Sequence, residues 1–297
     1  MQRRTFIMTT GKSAAIAAAT ASLATRLEAA DAASNNSRIN HSVCRWCYNS
    51  IQLEDLCIAG KEIGLKSVEL LMPDDLPVIQ KHGLVCAMVS FPTGTTKDGI
   101  KVGGITKAFN RLEHHDTLVS IYEPHLKAAA AAGAKQVICF SGNREGMSDE
   151  EGLENCATGL KRLMPLAEKL GITLSMELLN SKVNHADYMC DHTAWGVALC
   201  KKIGSANFKL LYDIYHMQIM EGDVIATIRA SHEFISHYHT GGVPGRGEID
   251  ETQELYYPAI MRAIADTGYQ GFVGQEFNPK RPDKLASLKQ GVQICTV

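Results

Sequence analysis

The sequence predicts an α/β protein, a single-domain (β/α)8 TIM barrel, on three observations. Eight short apolar runs recur from residue 40 onward, at 42–44, 67–71, 84–90, 136–140, 173–178, 208–213, 235–239 and 271–277. Amphipathic stretches lie between them, at 52–63, 109–132, 150–170, 193–203, 224–234 and 258–267. Glycines punctuate the repeat at Gly64, Gly83, Gly133, Gly171, Gly204 and Gly268.

Strands that alternate with helices make a parallel sheet with helices outside it. A glycine after each helix suits the left-handed residue that ends it. Eight units of this size close into a barrel. The open, doubly wound alternative lacks its marks: no G-x-G-x-x-G follows the first run, and no G-x-x-x-x-G-K-[ST] is present.

Residues 1–33 stand apart from the repeat. Arg3-Arg4-Thr5-Phe6-Ile7 precedes an alanine-rich run from Ala14 to Ala24, with small residues from Ala29 to Ala33. A basic region, an apolar stretch and a small-residue zone in that order read as an export signal, here of twin-arginine type. The expectation is an exported, periplasmic protein whose residues 34–297 form the barrel. The apolar run is shorter than the roughly 20 residues a span requires, so no membrane partner is expected once the signal is removed.

With 30 basic and 32 acidic residues, the chain has no basic footprint for nucleic acid. Self-association remains open. The nine cysteines are odd in number and several lie in apolar runs (Cys86, Cys139, Cys200), so they read as small core hydrophobes. Cys44-Arg45-Trp46-Cys47 is a C-x-x-C without the second pair or histidine pattern of a zinc site, and whether its sulfurs pair is left open. The glycine-rich stretch 93–104 follows the third run and belongs on the functional rim, as a lid or a plain surface loop.

In a barrel of this class the chemistry sits where strands end. The fifth to eighth runs end in Ser175-Met176-Glu177, Leu211-Tyr212-Asp213, His237-Tyr238-His239 and Gly274-Gln275-Glu276. Leu211 and Asp213 share a strand face, as do His237 with His239 and Gly274 with Glu276. If those faces point into the barrel mouth, Glu177, Asp213, His239 and Glu276 converge. Buried carboxylates need a metal or a hydrogen-bond network. Three carboxylates and one imidazole suit Mn²⁺ or Mg²⁺, with Zn²⁺ or Co²⁺ admitted by the histidine. Each residue taken alone has a plainer reading, such as a helix cap for Asp213.

The stretches Glu177-Leu-Leu-Asn-Ser-Lys-Val-Asn-His185, Leu211-Tyr-Asp-Ile-Tyr-His216, Gly242-Val-Pro-Gly-Arg246 and Gly274-Gln-Glu-Phe277 resemble the hydroxypyruvate isomerase family. That family belongs to the xylose isomerase-like barrels, alongside the ketose 3-epimerases. The resemblance covers the chain from about residue 40 and implies a barrel enzyme. It would move a proton between adjacent carbons of a small keto acid or sugar through an enediolate, as in hydroxypyruvate to tartronate semialdehyde. It further implies Glu177, Asp213, His239 and Glu276 as metal ligands, and Glu177 and Glu276 as the proton-moving pair. His216 and Arg246 match positions that hold the substrate's oxygens.

The chain departs from that pattern at His239, where hydroxypyruvate isomerases have glutamine and the epimerases histidine. A ketose 3-epimerase is therefore the alternative, and an exported sugar- or metal-binding barrel without turnover the non-enzymatic one.

Overall fold

Seven parallel strands form a curled wall in the computed structural model, which describes residues 37–297. The export-signal expectation lies outside those residues. The strands are β1 (Asn40–Cys44), β2 (Ser67–Glu69), β5 (Gln136–Cys139), β6 (Thr173–Leu178), β7 (Phe208–Asp213), β8 (Ile235–Thr240) and β9 (Phe272–Gln275), in the order β2-β1-β9-β8-β7-β6-β5. The eighth stave is the segment 84–90. It is too irregular for a strand, yet Val85 and Val89 bridge to Ser67 and Leu71 on one side and Val89 bridges to Val137 on the other. Its irregularity has a local cause. The Ser67 hydroxyl takes the Ala87 N–H at 2.9 Å, so this donor is diverted from the ladder. With that stave in place the barrel closes.

The strands are buried almost end to end, as a wall with helices outside and packed side chains inside requires. The outer helices are α1 (Leu53–Ile63), α2 (Leu76–Lys81), α3 (His115–Ala131), α4 (Asp149–Lys161), α5 (Met164–Leu170), α6 (Thr193–Ile203), α7 (Ile214–Met220), α8 (Val224–Ser231), α9 (Tyr257–Asp266) and α10 (Lys284–Cys295). Ser148 starts α4 by accepting the Glu151 N–H at 3.1 Å, and Asp149, Glu150 and Glu151 face the positive end of the helix.

The single helix expected over 150–170 is two. Pro165 lacks the N–H that a continuous helix would need, and it stands in the first turn of α5, where that donor is not missed. The six punctuating glycines all adopt positive φ, from 63° at Gly171 to 98° at Gly64.

Three helices have no counterpart in the sequence reading: α2, the two-turn α7, and α10. The stretch 93–104 carries a short antiparallel hairpin, β3 (Gly94–Thr95) with β4 (Lys101–Val102). All nine cysteines are buried free thiols, so Cys44 and Cys47 are not joined. No described helix is long and apolar enough to cross a membrane.

Candidate active site

Strand register brings the site together. Asp213 of β7 pairs with His239 of β8, which pairs with Gly274 of β9, two residues before Glu276. Glu177 of β6 pairs with Leu211, on the same face as Asp213. Each of Glu177, Asp213, His239 and Glu276 therefore offers a ligand atom at the C-terminal mouth, all within 4.8 Å of one another. All four are buried.

Asp213 fills two roles at once. Its Oδ1 caps α7 by accepting the His216 N–H at 3.1 Å, and its Oδ2 takes Arg246 Nη2 at 2.7 Å. The cap reading and the site reading are both correct for this residue.

His216 and Arg246 join the same cluster. Arg246 Nη1 lies 2.8 Å from His216 Nε2, its Nε donates to the Glu276 carbonyl at 3.0 Å, and its Nη2 also binds the Glu276 carboxylate. The guanidinium is held between the Trp46 and Tyr215 rings, 5.5 and 5.3 Å from their centroids, where a cation is favoured. Arg246 has φ of 51°, a left-handed conformation that a side chain makes costly and that such a web of contacts sustains.

Trp46, inside the C-x-x-C stretch, donates to Glu276 Oε1 at 2.7 Å. It was missed from sequence because an indole carries no charge signal. Glu69, at the end of β2, was missed although it is a strand-end carboxylate like the others. Its Oε1 lies 2.7 Å from both His237 Nε2 and His239 Nε2.

The electrostatics follow from burial opposed by neighbours. Burial and then the Glu276 charge raise the proton affinity of Glu177 above the ordinary carboxyl value. Burial pushes Asp213 up to about 7, Arg246 pulling against it. Burial would raise Glu276 too, but Arg246 and His239 hold it well below the usual range. Burial likewise opposes ionisation of Glu69, and the His237 and His239 imidazoles overcome it. His216 is held well below its usual value by burial and then by Arg246. For His239 burial is outweighed by Cys44 and Glu276, so its proton affinity rises.

The donor set fits a divalent cation. Glu177 Oε1 is buried without a hydrogen-bond partner, and His239 Nδ1 faces it at 3.4 Å and Glu276 Oε2 at 2.6 Å. Three carboxylates meet one guanidinium and one imidazole, so a further positive charge would complete the compensation that burial demands. A cavity of about 330 Å³ opens beside the quartet. Glu177, Glu276, Arg246 and His185 line one side, and Leu70, Phe91, Ile105, Ile138, Phe140 and Leu179 line most of the rest.

The chain is similar to known proteins. A 2-oxo-tetronate isomerase of Cupriavidus necator is 36% identical over 110 residues, 37% of this chain, but the match spans only 42% of that protein's length. The hydroxypyruvate isomerase of Escherichia coli is 29% identical over 74% of this chain and 85% of its own. The crystal structure of an AP endonuclease, family 2, from Brucella melitensis superposes with a TM-score of 0.73, covering 84% of this chain and 97% of that one. At 23% identity that likeness speaks for the fold alone. The family model described as xylose isomerase-like TIM barrel matches residues 59–295, so the chain belongs to the xylose isomerase-like TIM barrel family.

Proposed function

We propose that this barrel is a metal-dependent isomerase of small hydroxy-keto acids, of the hydroxypyruvate isomerase type. The observation that carries the reading is the buried convergence of Glu177, Asp213, His239 and Glu276 beside a cavity. The isomerase relatives support the reaction class.

The four residues would hold Mn²⁺ or Mg²⁺, with Zn²⁺ or Co²⁺ admitted by His239. When bound, the ion supplies Lewis-acid stabilisation of the negative charge that develops on the substrate's oxygens. The chain's own residues do the rest. Glu177 has its proton affinity raised and one oxygen without a partner, which suits it to accept the carbon-bound proton near neutral pH. Glu276 begins as a carboxylate held by Arg246 and Trp46. A substrate carboxylate competing for the Arg246 fork removes its main counter-charge and raises its proton affinity, so the two glutamates can then exchange protons across the enediolate. His216, kept neutral by burial and by Arg246, would orient a substrate oxygen through the Arg246 fork it touches at 2.8 Å, without repelling the cation. The apolar wall excludes water that would quench the enediolate.

The test is deuterium uptake from D₂O into small keto acids and ketoses, with Mn²⁺ or Mg²⁺ added. Exchange into a hydroxy-keto acid supports the reading. A protein that binds the ion but exchanges no substrate in the screen is a non-catalytic binding barrel. A ketose 3-epimerase is the second reading, favoured by histidine at position 239. Faster exchange into ketoses than into keto acids would select it.

Export is part of the proposal: Arg3-Arg4 and the alanine-rich run support a periplasmic protein. Recovery of the full-length chain from the cytoplasm alone would overturn that part.

A further inference from the structure

Beneath the quartet, and joined to it through His239, lie Glu69, His237 and Cys44, fully buried side chains that the reaction proposed above does not use. Glu69 Oε1 is 2.7 Å from His239 Nε2 and 2.7 Å from His237 Nε2. The two rings stand 5.0 Å apart and nearly perpendicular, at 87°. The Cys44 thiol donates to the same oxygen at 3.6 Å. Glu69, His237, His239 and Cys44 are all wholly buried.

An ionised carboxylate can only accept hydrogen bonds, so each imidazole must present an N–H to it. A neutral imidazole has one donor nitrogen and one acceptor nitrogen. With Nε2 committed as donor to Glu69, the lone pair of His239 falls on Nδ1, and Nδ1 is the nitrogen that faces Glu177 and Glu276, at 3.4 and 2.6 Å. His237 is related to His239 by the two-residue strand repeat and grips the same oxygen, which keeps Glu69 from following the ring.

A second observation points the same way. A Cβ on Gly274 would sit 2.7 Å from Glu69 Oε1 and 2.9 Å from His239 Cδ2. Gly274 is not in the left-handed region, so its lack of a side chain serves space: β9 leaves an opening through which the carboxylate of β2 reaches the ring of β8.

We propose that Glu69 is a positioning residue that fixes His239 with Nε2 protonated and Nδ1 turned to a divalent cation in the quartet. The proposal rests on reading the quartet as a cation site, but not on which substrate it serves. Outer partners of this kind raise ligand basicity and fix ring orientation, and their loss weakens metal binding about 10–100-fold.

The experiment uses the full chain loaded with Zn²⁺, which is diamagnetic, and no substrate. Nitrogen–proton correlation spectra of the wild type should show His239 with its proton on Nε2 and the ion on Nδ1. Glu69→Leu, of similar volume but with no acceptor, should bind Zn²⁺ about 10–100-fold more weakly, while Glu69→Gln, whose amide oxygen still accepts, recovers most of the affinity. A purely structural role would move the two variants together.

Three results would overturn the proposal: Zn²⁺ on Nε2 of His239, two Zn²⁺ per chain with Glu69 as a ligand, or a folded Glu69→Leu protein of unchanged affinity. If Glu69→Leu does not fold, the wild-type spectrum decides alone. Absence of deuterium uptake would sink the isomerase reading and leave these results standing, and the reverse also holds.

Discussion

The cavity is bounded by two walls of opposite chemistry. The strands β6 to β9 end in Glu177, Asp213, His239 and Glu276, whereas the first half of the barrel presents Leu70, Phe91, Ile105, Ile138 and Phe140. The difference is not between an active wall and an inert one. Burial is the largest influence on the proton affinity of Glu177, Asp213, His216 and His239 alike. That burial makes each charge on the polar wall interact more strongly than it would in water. Glu69 is the exception that links the halves: a carboxylate from the apolar half, placed under the polar one.

The sharpest way to break the comparison is on the polar wall. Glu276→Gln should keep the fold, by circular dichroism and melting, and slow exchange of substrate hydrogen with solvent by about 10²–10⁴-fold. Undiminished exchange would remove Glu276 from the chemistry. On the apolar wall the balance reverses. Phe140→Ala deletes half of an edge-to-face pair with Phe91, whose centroids are 5.0 Å apart, and should cost about 3–5 kcal/mol in urea denaturation. Exchange at saturating substrate should change by less than about tenfold, the range of a binding contact rather than a proton-transfer group.

The pH dependence tests whether burial acts on the polar wall. With Asp213 pushed up to about 7, protons compete with the cation from neutrality downward, instead of from the acid range of an ordinary carboxyl. Only the ionised form binds, so affinity for Mn²⁺ should fall as pH falls, by about tenfold between pH 8 and pH 6. Flat affinity over that interval would show that burial is not controlling Asp213. The smallest effect expected is at a site on neither wall. Ser148→Ala removes the cap of α4 and should cost about 1 kcal/mol of stability without altering exchange.

Much of this architecture was legible in the chain because its signals are local. Apolar runs, helical spacing and the terminating glycines report on backbone neighbours, so seven of the eight staves and most outer helices stand where those signals put them. The third stave departed from regularity through the Ser67 hydroxyl, a contact made 20 residues away in sequence. The helix α7 was hidden because Asp213 reads as the end of β7 while also capping the next turn. At the site, the six residues singled out by strand-end position and family resemblance do lie together. Trp46, Tyr215 and Glu69 escaped notice because their importance is relational: each matters through one partner more than 25 residues distant, Glu276, Arg246 or His239.

The order of strands and helices, the identity of the polar strand ends and the family were determined by sequence alone, since periodicity and residue type are properties of the chain itself. Tertiary structure decided what those groups became. Closing the barrel brought four chain-distant side chains within 4.8 Å, buried them and set Arg246 between two aromatic rings. It also separated the proton affinities of Glu177 and Glu276, two residues of identical chemistry. Their difference comes only from surroundings, because burial favours the neutral acid and a nearby guanidinium favours the anion.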